Sequence, residues 1–190
     1  RGTTVHKAIE KWNQGQDLFW FEEIEDPDTK EVIEKKNYDD FEWKAIRSYM
    51  SWAEEFKPKF KELEIELYSK TWGYAGTADA VAEIGGQTVI CDWKSGKYIG
   101  DKFYLQAAAY WKAYEEMTGI TCDAAMILAL SVPPSPRAKV PKSWKLVTLN
   151  REDLEKAWNR FQTRMRLFYE THPKEDFEPK RDLLPVSYTH

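Results

Sequence analysis

Residues 73–97 read GYAGTADAVAEIGGQTVICDWKSGK, and the interpretation of the whole chain turns on this stretch. Two runs rich in β-branched and apolar residues flank Gly85–Gly86. Such runs suit pleated strands, and a glycine pair supplies the positive φ angles of a two-residue hairpin turn. The expected strands are Tyr74–Ile84 and Thr88–Trp93. With that turn, Ile84 faces Gln87, and counting outward sets Asp79 opposite Asp92. Directly opposed residues project to one side with Cβ atoms roughly 4.5–5.5 Å apart. Lys94 follows Asp92 by two residues and shares its side, since strand side chains alternate. One hairpin therefore presents two carboxylates and an ammonium on one face, unless a bulge shifts the register.

Opposed carboxylates repel, at a cost on the order of 1 kcal/mol that grows with burial. Three arrangements relieve it: protonation of one acid, a bridge by Lys94, or a divalent cation between them. A structural ion triad and a metal centre both satisfy this geometry. Hard carboxylate oxygens suit Mg²⁺ or Mn²⁺. Lys94 ends a buried apolar strand, where an unpaired ammonium is costly. The turn Ser95-Gly96-Lys97 follows, and the small residues of Gly73–Thr77 leave room beside the acids.

Outward from the hairpin, helical spacing predicts a first helix over Thr4–Asn13, capped by Thr3 or Thr4, and a second over Asp39–Phe56, ending before Pro58. Residues 22–40 read as charged and irregular, with a turn at DPDTK. The second helix is expected to cover the active face or act as a clamp. Glu62–Ser69 is a further strand. A helix over Lys102–Met117 stops at Gly119, a buried strand spans Ala124–Leu130, and a proline-rich loop fills 131–145. A short strand, Lys145–Leu149, precedes a closing helix, Arg151–Glu170, with Leu154, Trp158, Phe161, Met165 and Phe168 on one face. Strands flanked by helices in this order imply an α/β fold with a mixed central sheet and helices on both sides.

Composition bounds the rest. The chain has 190 residues, enough for one core and short for two. Nine tryptophans argue against disorder. No run reaches the length of a membrane span and no signal peptide opens the chain. Cys91 and Cys122 are too few for a four-cysteine zinc site or iron–sulfur cluster and read as reduced core residues of an intracellular protein. A net charge of −4 argues against gripping DNA by bulk electrostatics, although carboxylates that hold metal are neutralised in use.

The 73–97 segment resembles the core of RecB-like nucleases in the PD-(D/E)XK superfamily, a branch that includes phage, CRISPR-associated and mitochondrial exonucleases. Gly76-Thr77-Ala78-Asp79 fits that family's G-x-x-D motif and Asp92-Trp93-Lys94 its D/E-x-K motif. Gln106-Ala107-Ala108-Ala109-Tyr110 fits Q-x-x-x-Y, and Gly2-Thr3-Thr4-Val5-His6 fits an early G-T-x-x-H. The resemblance covers residues 1–115, and four motifs in order are far more specific than one. It implies that Asp79 and Asp92 coordinate a catalytic Mg²⁺ or Mn²⁺, with the Trp93 carbonyl and His6 as further ligands. Lys94 would orient the attacking water and steady the phosphate. Glu64 would hold metal-bound water or a second ion, with Glu62 and Glu66 as competitors for that role. Gln106 and Tyr110 would brace the site and touch the substrate backbone. Lacking four cysteines, the chain resembles the members without a cluster.

Set beside these roles, His6 also reads as a surface or capping histidine, Glu64 as a solvated strand residue, and Gln106 and Tyr110 as packing groups. Lys97 and the loop cations Arg137, Lys139 and Lys142 are candidates for phosphate contact, and Trp72 and Trp144 for base stacking. The expected organisation is one nuclease domain over 1–170, with a helical cover or clamp at 21–60, a catalytic sheet core at 61–150 and a tail at 171–190. The expected activity is hydrolysis of DNA at single-stranded or frayed ends by a cytoplasmic exonuclease, with a phage among the sources the resemblance admits. A structure-selective or nicking endonuclease and a silent DNA-binding scaffold are the rivals. DNA is the expected partner, a helicase or recombination protein fits beside it, and no membrane is implied.

Overall fold

The computed structural model describes residues 2–133 and 142–172. In chain order the elements are α1 (Gly2–Asn13), β1 (Phe21–Glu25), β2 (Val32–Asn37), α2 (Asp40–Phe56), β3 (Lys59–Ser69) and β4 (Tyr74–Ile84). They continue with β5 (Gln87–Lys94), α3 (Asp101–Thr118), β6 (Ala124–Ala129), β7 (Lys145–Asn150) and α4 (Arg151–Thr171).

The central sheet runs β3-β4-β5-β6-β7. Its neighbours are antiparallel except β5 and β6, which pair in parallel. A parallel pair needs a crossover, and α3 supplies it. Strand β6 is buried throughout because both of its faces are covered. Ala124, Met126 and Leu128 pack toward α1 and α2, while Ala125 and Ile127 pack toward α3 and α4. This explains its unbroken apolar run. The mixed sheet with helices on both sides is the expected one.

The alternation on β5 positions the chemistry. Val89, Cys91 and Trp93 face α1 and α2, and Ile90 faces α3 and α4. Asp92 and Lys94 therefore continue the Ile90 row, and Trp93 between them points the other way. Trp93 is 1% exposed and packs edge-on against Tyr49 with ring centroids 5.1 Å apart. That aromatic anchor on α2 fixes the strand from behind. Both cysteines are free and buried.

Helix ends follow local chemistry. Asp39 and Glu42 form a reciprocal capping box at the start of α2, and Asn150 and Asp153 do the same for α4. Gly119 closes α3 in the left-handed conformation. Helix α1 begins at Gly2, earlier than expected, so Thr3 and Thr4 lie within its first turn; residue type alone does not locate a cap. Residues 22–40 are not irregular. Most of them form the β1–β2 hairpin, closed where Asp26 Oδ1 accepts from the Asp28 and Thr29 amides at 2.9 Å each. Strand β2 is exposed along its whole length, so no apolar alternation marked it in the sequence. The segment 21–60 thus combines this hairpin with α2. Among the described residues, no helix is long and apolar enough to cross a membrane.

Candidate active site

Gly85 and Gly86 have φ of 57° and 79°, the two positive values a two-residue turn demands. The ladder from Ile84↔Gln87 to Ala80↔Cys91 has the register counted from the sequence. It ends there, and Asp79 and Asp92 are the next residues on each strand. Instead of a backbone carbonyl, the Trp93 amide donates to Asp79 Oδ2 at 2.6 Å. The strands open at this step, and the acids occupy the opening.

The opening separates their partners. Asp79, 8% exposed, accepts the Trp93 amide on one oxygen and has His6 Nδ1 3.0 Å from the other. Asp92, 6% exposed, faces Lys94, whose Nζ lies 3.0 Å from Oδ1 and 2.7 Å from Oδ2. In place of a lysine bridge between the acids, the fold sets a lysine against one and a histidine with a backbone amide against the other. Lys94 does not bridge the pair. Only the Oδ1 contact has hydrogen-bond geometry, which leaves the buried Asp92 Oδ2 without a directed donor.

Lys94 is held from the α3 side. Its Nζ donates to Gln106 Oε1 at 3.0 Å, and Gln106 Nε2 donates to the Tyr110 hydroxyl at 2.9 Å. The ammonium also lies 4.7 Å above the Phe103 ring. Phe103 was not among the sequence candidates, although it sits three residues before Gln106 and so shares its helix face. Tyr110 explains a glycine: a Cβ on Gly76 would lie 2.6 Å from Tyr110 Cε1. The glycine of one motif is thus the space filled by the tyrosine of another.

Glu64 adds a third carboxylate. Leu63 pairs with Ala80 and Ile65 with Ala78, so Glu64 lies across from Asp79. Its φ of 48° is left-handed, which is strained for a residue with a side chain. Leu63 packs toward α1 and α2 while Ile65 packs toward α3 and α4, so the strand changes face at Glu64. His6, Glu64 and Asp79 bring their ligand atoms within 4.8 Å of one another. Asp92 stands outside that trio, beside Lys94. The trio has an imidazole and carboxylate oxygens, and Asp92 is near enough for its charge to raise His6. This donor set fits a divalent cation of intermediate hardness such as Mn²⁺, and Mg²⁺ through its oxygens.

Electrostatics agree with this crowding. Burial pushes the Asp92 carboxyl up to about 6; Lys94 opposes that shift and the Asp79 charge adds to it. Burial lowers the His6 pKa, but its hydrogen bond to Asp79 and the charges of Asp79, Asp92 and Glu64 outweigh that and raise it. Burial and Asp79 raise Glu64. Burial, then the Asp92 charge, raises Tyr110.

Other candidates fall apart from this centre. Lys97 is exposed on the turn after β5. Lys142 is held by Glu55 of α2, with Nζ 2.6 and 2.8 Å from its oxygens, and lies over Trp144. Arg137 and Lys139 lie outside the described residues. Trp144 is buried against Phe56, and Trp72 packs edge-on against Trp158.

A family model described as the PD-(D/E)XK nuclease superfamily matches residues 1–182. The fold is similar to the crystal structure of a protein from Eubacterium rectale whose exonuclease designation is provisional. That similarity has a TM-score of 0.54 at 14% identity and covers 97% of this chain and 72% of that one. No curated protein matches. A family match across nearly the whole length, over a fold whose sheet opens on two acids and a lysine, means that the chain belongs to the PD-(D/E)XK nuclease superfamily.

Proposed function

We propose that the protein is a divalent-metal-dependent deoxyribonuclease that removes nucleotides from single-stranded or frayed DNA ends. The observation that carries this reading is the placement of Asp79 and Asp92 where the β4–β5 ladder opens, Asp79 beside His6 and Asp92 beside Lys94. Asp79, Asp92, His6 and Glu64 would hold the metal, with the Trp93 carbonyl beside them. When bound, a divalent cation supplies positive charge to the phosphate and acidity to water.

The chain's own groups do the rest. Lys94 is locked between Asp92 and Gln106, with Phe103 beneath it, so its charge is aimed before substrate arrives. A preorganised cation of this kind favours the negative charge that grows on phosphate in the transition state. Its side chain is 20% exposed, enough for a phosphate oxygen to reach it. Tyr110 holds Gln106, and Gln106 holds Lys94. The family supports DNA as substrate, and the chain's negative balance supports a narrow channel over a broad duplex-gripping surface.

The test compares end-labelled linear DNA with covalently closed single-stranded circles, in Mg²⁺, Mn²⁺ or EDTA. Degradation of linear strands alone, abolished by EDTA, is expected. Cutting of circles would transfer the reading to an endonuclease, and inactivity of folded protein on both, with either metal, would refute it.

A further inference from the structure

The helix pair α3 and α4 encloses a groove of about 560 Å³ that begins at the catalytic lysine's own supports. Gln106 and Tyr110 are among the residues that line it. Tyr74, Phe161 and Phe168 line it too, as do the cations Lys102 and Arg164. No carboxylate is among the described residues that line it. Most of its wall is apolar ring or aliphatic surface. Phe168, near the end of α4, is 46% exposed and stacks one face of its ring on His172, with centroids 4.5 Å apart.

We propose that this groove seats unpaired bases of the DNA strand whose phosphodiester reaches Lys94, an inference that rests on the phosphodiester reading above. Three observations favour a nucleic-acid strand as its occupant. Aromatic side chains offer stacking faces to any base, so a binder indifferent to sequence uses such a wall. The rim is positive: Arg160 and Arg164 both contact the single carboxylate of Asp101, which leaves net positive charge for phosphates. The groove also shares Gln106 and Tyr110 with the hydrogen-bonded chain that holds Lys94, so a strand lying in it passes beside the lysine's supports. A duplex keeps its bases stacked inside and cannot use this wall. The groove therefore selects single strands and frayed ends.

The test measures binding of a labelled twelve-residue oligothymidylate and of an abasic strand of equal length, both with Ca²⁺, by fluorescence anisotropy. Wild-type protein is expected to prefer the base-bearing strand by about tenfold, the scale of one stacked base. Phe168→Ala should bring that ratio close to one, and Arg164→Gln should weaken both strands alike. Cross-linking of wild-type protein to an oligonucleotide carrying 5-iododeoxyuridine reads the same question without a variant, and should label peptides of α3 or α4. Equal affinity for the two strands, or labelling confined to other elements, would overturn the groove and pass it to a protein partner. Discrimination without hydrolysis in Mn²⁺ or Mg²⁺ would keep the groove and sink the enzymatic reading. Hydrolysis without discrimination would do the reverse.

Discussion

Replacing Asp92 by asparagine separates what this side chain does for chemistry from what it does to stability. Its carboxyl is pushed from 3.8 up to about 6 in the folded chain, chiefly by burial and despite Lys94. An acid whose folded pKa is raised binds protons in the native state that the unfolded state has already lost. Between those two values the native state holds the extra proton, so stability falls as pH rises, and above both the loss is complete. A shift of about two units corresponds to about 3 kcal/mol of destabilisation at pH 8, falling to about 1 kcal/mol near pH 4.5. Asparagine keeps the shape and can still accept from Lys94 but never ionises. In EDTA, Asp92→Asn should therefore be more stable than the parent at pH 8, and the advantage should shrink by about 2 kcal/mol on acidification to pH 4.5. Urea unfolding at the two pH values measures it. His6 titrates in both proteins, so the difference between them isolates position 92 to first order. A variant less stable than the parent at pH 8, or an advantage independent of pH, would refute the reasoning. Hydrolysis should be lost at either pH, since the proposed ligand charge is gone.

The other substitutions test the surroundings of the same centre. Lys94→Ala should lower turnover by about a hundredfold or more while sparing Mn²⁺ binding by calorimetry, the cost expected when a preorganised charge leaves a transition state; unchanged activity would remove the lysine from the mechanism. Gly76→Ala places a methyl against Tyr110 and should destabilise by about 1–3 kcal/mol while lowering activity, and the double variant with Tyr110→Ala should lose less stability than the two single losses added together, without recovering activity. Trp93→Ala should destabilise by about 3–5 kcal/mol in thermal or urea unfolding. A much smaller loss would mean that the Tyr49 and Trp52 contacts do not brace β5.

How far the site was legible depended on the range of the signal. The hairpin was readable because its turn chemistry and register are local: two glycines with positive φ fix which residues face each other. The buried run of β6 and the stop at Gly119 were readable for the same reason. Partner choice was not. Strand alternation places Asp79, Asp92 and Lys94 on one side, but the ladder ends one step before the acids, and only the opened backbone lets the Trp93 amide turn to Asp79. Glu64 shows the limit again. The family resemblance suggested the role, with Glu62 and Glu66 near enough to compete, and it is a left-handed φ that turns Glu64 toward His6. The β1–β2 hairpin escaped notice because solvent on both sides of β2 removes the apolar period that marks a strand. Lys142 read as a free cation because Glu55, 87 residues away, cannot be paired with it by spacing.

The destabilising features of this fold converge on one place. Two buried acids side by side, a carboxyl oxygen without a directed donor and a left-handed glutamate each cost stability, and all lie where the β4–β5 ladder ends or directly across from it on β3. A buried ion pair is often no more stabilising than apolar residues of similar volume. Lys94 with Asp92 is therefore poorly explained as a stabilising device, especially with the Tyr49–Trp52–Trp93 cluster packed directly behind it. The apolar core at this end of the sheet makes the opposite sense: it supplies rigidity enough to hold charges that repel. Strained features retained together beside a strong anchor are what a preorganised reaction centre requires.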